Sequence, residues 1–282
     1  MAIDEQKVGE AVGKVFGELG VAITGPLIVL GDRLGLWAAM AGTGPVTPGE
    51  LAAKTGTVER YVREWLRGVA VAGYVGYDPA TGAFTLPDEM ALVIATDDSP
   101  ASLIGVFPGF AALWNDLDTI EGFFRTGGGM GWGDHHPALN DAQSRFTRPM
   151  YRASLVADAA KFPGHGYDLV TFTDCLHDLG DPVAAAVHAR STLAPGGTVM
   201  VVEPLAADRL EGDFTNPYAR IGYAISTLVC TPSSLAQPGA AALGAMAGET
   251  RLRQVLAEAG YTRVRRVAHQ AAPFNIVLEA RP

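Results

Sequence analysis

From Tyr167 onward, apolar runs of strand length alternate with helical stretches, and this order constrains the fold more than any other feature. Residues 167–173 (YDLVTFT) read as a β-rich strand and 182–193 as an alanine-rich helix. Ala194-Pro195-Gly196-Gly197 makes a sharp turn, and 198–203 (TVMVVE) a second strand. The second strand is apolar on both faces, as strands buried in a parallel sheet are. The intervening helix supplies the crossover that two parallel neighbours need. A helix over 249–259 stops at Gly260, and strands follow over 262–268 and 274–280. This part of the chain is expected to be α/β.

The N-terminal part has a different texture. Residues 4–40 read as helical, with Val8, Val12, Val15, Phe16 and Leu19 at helical spacing. Glycines at 9, 13, 17 and 20 weaken a helix but permit close helix packing. The most apolar run, 21–31, is 11 residues long and contains Gly25 and Pro26. A membrane span needs roughly 20 apolar residues, so the run is expected to be a buried helix or helix pair. Thr47, Pro48 and Glu50 form a capping-box pattern for a short helix. After the turn at 55–57, a longer helix puts Val58, Tyr61, Val62, Trp65, Leu66 and Val69 on one face. Two short strands, 74–77 and 83–86, flank a hairpin turn at 78–82. Helix, turn, helix and hairpin together make a winged helix.

Charge bears on what this winged helix does. Residues 45–87 hold four basic side chains (Lys54, Arg60, Arg63, Arg67) and four acidic ones (Glu50, Glu59, Glu64, Asp78), and the whole chain carries -9. Phosphate contacts need a basic surface, so packing and dimerisation are expected here rather than nucleic-acid binding. The chain begins with polar and acidic residues, and no secretory signal or membrane anchor is expected. Two cysteines, Cys175 and Cys230, lie far apart without metal-type spacing. A reducing cytoplasm is the expected setting, with neither a disulfide framework nor a bound metal. Residues 100–155 look largely helical, broken by Gly127-Gly128-Gly129-Met130-Gly131-Trp132-Gly133. That run follows a helix rather than a strand, so it reads as a flexible loop and not a nucleotide turn. His135 and His136 adjoin it, but side chains adjacent in sequence diverge, and no third metal ligand is placed by spacing.

Several motifs carry a likeness. The runs YDLVTFTDCLHDLGDP, LAPGGTVMVVEP, AGYTRVRRV and FNIVLEARP resemble the second half of a class I S-adenosylmethionine (SAM) dependent methyltransferase. GDRLGLW (31–37), the winged helix, the glycine loop and RPMYRASLV (148–156) are similar to a bacterial group related to small-molecule O-methyltransferases. The resemblance implies a helical and winged-helix dimerisation domain over 1–99, a helical linker and substrate-pocket segment over 100–155, and a Rossmann-like methyltransferase domain over 156–282. It also implies SAM as cofactor and a small-molecule substrate. The apolar stretch 21–40 exceeds what one small winged helix can bury, so a homodimer built mainly by the N-terminal helices is expected.

The departure from that family is a length. Family members place a strand, a glycine-rich turn, a helix and a second strand ending in an acid before the strand at 167. Those glycines admit the cofactor and the acid grips its ribose. Here 11 residues, Val156 to Gly166, stand in that interval, whereas one βαβ unit needs about 30. Strands 1–3 of the family order 3-2-1-4-5-7-6 do not fit, so a truncated sheet 4-5-7-6 is expected. Its first strand, 167–173, is then an open edge without the prolines or lysines that protect natural edges. Weak or absent SAM binding is the consequence.

The same resemblance assigns site residues. His177, in a His-Asp pair past the strand at 167–173, corresponds to the family's general base, and it could instead cap the next helix. Asp158 and Ala159 correspond to adenine-side contacts, and Asp174 and Cys175 to strand-end residues beside the cofactor, with helix capping the alternative for Asp174. Glu203 either orients substrate or ends its strand. Phe110, Trp114, Met150 and Tyr151 either line an apolar substrate pocket or serve as core. Three functions follow: a methyltransferase-family protein acting on a small hydroxylated metabolite, a cofactor-independent cyclase or lyase on that scaffold, or an inactive, regulatory dimeric homologue.

Overall fold

The computed structural model describes residues 3–99, 101–151, 162–267 and 274–282, with side chains omitted for 147–151. The chain divides into two compact units, Met1–Trp114 with Pro137–Ala153, and Asn115–His136 with Ser154–Pro282. The segment 100–155, expected as a linker, is thus shared between the two units. Asp158 and Ala159 lie outside the described residues, as do the side chains of Met150 and Tyr151.

The first unit begins with α1 (Glu5–Arg33), whose start is capped by the Asp4 carboxylate accepting from the backbone of Gln6 and Lys7. It is a single helix through Pro26, where a buried helix or helix pair was expected. Only Ile28 and Gly31 of it are buried, and Phe16 is 71% exposed. The helical spacing was therefore a sound guide to conformation and a poor one to burial. By length and composition α1 could cross a membrane, yet its last turns are built into the unit. The indole N–H of Trp37 donates to Ile28 O at 3.0 Å, and that of Trp65 to Leu27 O at 2.8 Å. The two rings meet edge to face at 4.5 Å. A Cβ at Gly31 would collide with both, so glycine is required where they close on the helix.

Beyond α1 come α2 (Leu36–Met40), α3 (Pro48–Thr55) and α4 (Glu59–Val71), then β1 (Gly76–Asp78) and β2 (Ala83–Thr85) as an antiparallel hairpin, then α5 (Asp88–Ile94). The capping box forms as expected: Thr47 Oγ1 accepts from the Glu50 amide, and Glu50 accepts from the Thr47 amide at 2.8 Å. On α4 the buried stripe is Val62, Trp65, Leu66 and Val69. Val58 and Tyr61, expected on that face, are exposed, Tyr61 by 77%. Val58 is the N-cap rather than a helical position, and Tyr61 falls about 100° around from Val62. The outer face of α4 is self-neutralised, Arg60 and Arg67 pairing with Glu64, and Arg63 with Glu59. The helices α6 (Val106–Asn115), α7 (Leu117–Thr126) and α8 (Pro137–Tyr151) follow. Arg145 on α8 is held by Asp32 at 2.7 Å and Asp97 at 2.8 Å.

The second unit is built on a four-stranded sheet of β3 (Tyr167–Thr173), β4 (Leu193–Pro204), β5 (Arg263–Arg266) and β6 (Asn275–Arg281) in the order β3-β4-β6-β5. β3 and β4 are parallel; β6 is antiparallel to both β4 and β5. This is the order expected for 4-5-7-6. The crossover helix α9 (Pro182–Thr192) is capped by Asp181, and its alanines pack with Val199, Val201 and Leu278. After α10 (Leu210–Asp213) and α11 (Ala219–Ile225), one π-helical turn, Ser226–Cys230, runs into α12 (Thr231–Leu235). The last helix, α13 (Gly248–Glu258), covers the sheet with Leu252, Val255 and Leu256. Among the described residues β3 pairs only with β4, and Leu169 is 53% exposed.

Candidate functional site

The chemistry gathers where β3 and β4 end. Asp174 leaves β3 in a left-handed conformation (φ 46°), and a 3-10 turn, Leu176–Asp178, follows. The Asp174 carboxylate accepts from Asn275 Nδ2 at 3.1 Å. The tight reversal tips His177 inward, and the residue is 4% exposed. Glu203, on the adjacent β4, reaches across to it. One carboxylate oxygen takes the backbone N–H groups of Cys175 (3.2 Å) and Leu176 (2.8 Å), while the other hydrogen bonds His177 Nδ1. Expected as a substrate-facing or strand-ending residue, Glu203 is buried and spends its oxygens orienting His177.

The other side of the imidazole meets Asp178 and Cys230. Nε2 lies 3.2 Å from Asp178 Oδ1, and the Cys230 thiol hydrogen bonds the ring. Cys230 arrives by way of the π turn, a distortion that often marks functional positions. The loop after His177 is clamped onto α12. Gln237 Nε2 donates to Asp178 O at 2.7 Å, its Oε1 accepts from Gly180 N at 3.1 Å, and Ser234 Oγ donates to Leu179 O at 2.8 Å.

The glycine run also differs from expectation. It is packed rather than loose: Met130 N donates to Pro232 O at 3.0 Å, and a Cβ on Gly129 would strike the backbone of α12. This seats the turn Trp132–Asp134, and the Trp132 side chain hydrogen bonds Asp178. Nearby, His135 Nδ1 pairs with Asp116 Oδ2 at 2.9 Å, both buried. Trp132 and Cys230 were not among the expected site residues; the glycine run, read as a flexible loop, was the signal that could have pointed to close packing there. Tyr218 was missed too, and its phenol is raised by burial and by Asp174 and Cys230.

Burial alone would lower the pKa of the His177 imidazole, but Glu203, the Cys230 hydrogen bond and Asp178 together hold it well above the ordinary 6.5. Burial raises the Asp178 carboxyl against the pull of His177, and raises the Cys230 thiol to about 11. The Cys175 thiol rises to about 12 through burial and the Glu203 charge. Among the described residues His177, Asp178 and Cys230 also offer donor atoms that converge as metal ligands would. Phe110 and Trp114 lie on α6, and Trp114 is 73% exposed. A surface hollow lined by Arg263, Val264, Arg265, Glu279 and Arg281 contains none of these groups.

A winged-helix unit followed by a mixed sheet of this order, with its polar cluster at the carboxyl ends of the parallel strands, defines an α/β fold of the methyltransferase type. Residues 22–96 match the model of the Rv2258c-like winged HTH domain family. The whole chain is similar in fold to the mitomycin 7-O-methyltransferase MmcR (16% identity, TM-score 0.69, covering 99% of this chain and 100% of that one). Human N-acetylserotonin methyltransferase, solved in complex with SAM, is similar at 14% identity and TM-score 0.64, covering 96% and 97%. An O-methyltransferase family protein from Burkholderia thailandensis has 14% identity and TM-score 0.61, covering 100% and 99%. No curated protein sequence matches the chain.

Proposed function

We propose that this chain uses a methyltransferase-type scaffold to act on a hydroxyl group of a small metabolite, with His177 moving the proton. The observation that carries the reading is the buried His177–Glu203 pair at the ends of β3 and β4. Open α/β sheets place their ligands at such strand ends, and a carboxylate on Nδ1 orients the ring so that Nε2 is the working atom. Because the imidazole pKa is raised well above 6.5, it starts protonated at neutral pH. A base role makes turnover rise as pH climbs through that raised value. An acid role, as in a cyclase or lyase, makes it fall.

SAM binding is a separate matter. The fold grips that cofactor with amides of a glycine turn after the first strand and with an acid on the ribose. Among the described residues no strand precedes β3 in the sheet, and the interval 152–161 is too short for a unit of about 30 residues. Asp174, one of the expected contacts, is already engaged by Asn275. These residues do not fit tight SAM binding, and we take the sheet to be a truncated form of the fold. Losing several kcal/mol of contacts, at tenfold per roughly 1.4 kcal/mol, moves a micromolar binder toward millimolar. Isothermal titration with SAM and S-adenosylhomocysteine should be silent or very weak. A low-micromolar dissociation constant would overturn this and leave methyl transfer, which the structural neighbours favour, as the function.

The chain is further proposed to be a homodimer, without nucleic-acid or membrane partners. Val8, Val12, Val15, Phe16 and Leu19 are exposed on α1, and a Cβ at Gly9, Gly13 or Gly17 would meet nothing within 4 Å. An apolar surface of this extent marks an interface, and the glycines allow a second α1 to approach closely. Light scattering at micromolar concentration should give the mass of two chains; a monomer rejects the dimer.

A further inference from the structure

The cluster around His177 has a property that proton transfer does not use. A ring nitrogen of His177, a carboxylate oxygen of Asp178 and the thiol of Cys230 all lie within 4.8 Å of one another. Nε2 and Asp178 Oδ1 are 3.2 Å apart. Nitrogen and oxygen ligands about 2.0–2.1 Å from a tetrahedral zinc ion stand roughly 3.3 Å from each other, so this spacing matches two corners of such a site. Asp178 Oδ1 is buried and accepts no hydrogen bond of normal geometry. A buried carboxylate oxygen without a well-formed hydrogen bond is costly, and a metal ion would satisfy it where the imidazole, 3.2 Å away, does not align to donate. On the far side of the ring, Glu203 holds Nδ1 as the carboxylate in a carboxylate–histidine–metal chain does.

We propose that His177 Nε2, Asp178 Oδ1 and Cys230 Sγ bind one divalent transition-metal ion, zinc by the chemistry of the donors. Mixed nitrogen, oxygen and thiolate donors suit zinc and disfavour magnesium or calcium, which take oxygen ligands. Three protein ligands leave the fourth position for an oxygen ligand, water or a substrate hydroxyl. On binding, the thiol proton and the Nε2 proton pass to solvent, so affinity rises with pH. With the ion in place His177 Nε2 is a ligand and cannot accept a proton, so the proton-transfer role belongs to the metal-free form. The metal site therefore needs only the position of these residues and not the proton-transfer role proposed above. Trp132 and Glu203 are positioning residues here, holding Asp178 and His177.

Cobalt(II) titration of the full-length, chelator-treated protein tests the site without any substrate. One cobalt ion per chain is expected, with a thiolate-to-metal charge-transfer band and intense visible bands of tetrahedral geometry. Zinc should displace it, and metal analysis of protein purified in zinc-containing medium should find one equivalent. Cys230→Ser should abolish the charge-transfer band, while Cys175→Ser should leave it intact. Glu203→Gln should weaken zinc affinity by about 10–100-fold yet keep the band at saturating cobalt. Absence of the charge-transfer band in the wild-type protein overturns the proposal, and this readout holds even if a variant fails to fold. A band that survives Cys230→Ser but disappears in Cys175→Ser would overturn it too. A silent cobalt titration alongside a His177-dependent reaction would remove the metal and leave the proton-transfer reading standing.

Discussion

In the winged-helix unit the apolar positions of α3, α4 and β2 find one another. Leu51, Val62, Leu66, Val69 and Phe84 share one core, and both buried indoles spend their N–H groups on carbonyls of α1. In the second unit β3 is apolar too, yet among the described residues it has a neighbour on one side only, and Tyr167 and Leu169 are accessible. The contrast teaches that an apolar pattern is a demand for a partner surface and not a guarantee of one. A three-helix and hairpin module supplies every partner from a short stretch of chain, whereas a parallel sheet needs strands brought in by long crossovers.

Substitutions at four positions sharpen or break this contrast. The largest effect is expected at the site where the open sheet keeps its chemistry. His177→Ala should lower turnover about 10²–10⁴-fold in the reaction proposed above. An unchanged rate in a folded variant would leave the second unit without its proposed proton carrier. The raised pKa of His177 adds a sign: its stability contribution is complete below the ordinary unfolded-state value of 6.5 and is lost as pH rises through the higher folded value. Denaturant midpoints should therefore fall on the alkaline side, and His177→Gln should flatten that fall.

Next comes the closed core. Trp65→Ala removes a buried ring and its bond to Leu27 O, and should cost about 3–5 kcal/mol in chemical denaturation. A loss near that of a surface change would mean the winged helix is not closed. Thr47→Ala breaks the capping box of α3 and should cost about 1 kcal/mol. Smallest of all, Leu169→Ala on the edge strand should stay within about 0.5 kcal/mol. Leu169→Lys should change association instead, lowering light scattering at high concentration, because an edge lysine discourages strand pairing. A large stability loss at Leu169 would show that the edge is covered.

The sequence alone determined what depends on neighbours a few residues apart. The box at Thr47 and Glu50, the stripe Val62-Trp65-Leu66-Val69, the bounds of β3 and the crossover through α9 all follow from caps, periodicity and crossover length. Strand order was legible by resemblance, and His177 through its place after β3. Only the tertiary structure decided which side chains meet His177. Glu203 is 26 residues away along the chain, Cys230 depends on a π turn that shifts the helix register, and Trp132 arrives because Gly129 lets its loop lie flat on α12. The burial of α1 was likewise beyond the pattern, since Phe16 satisfies the helical period whether or not a surface stands opposite. Local propensity acts through steric and capping terms within a turn or two. Burial and pKa depend on atoms brought together from distant segments, which packing alone assembles.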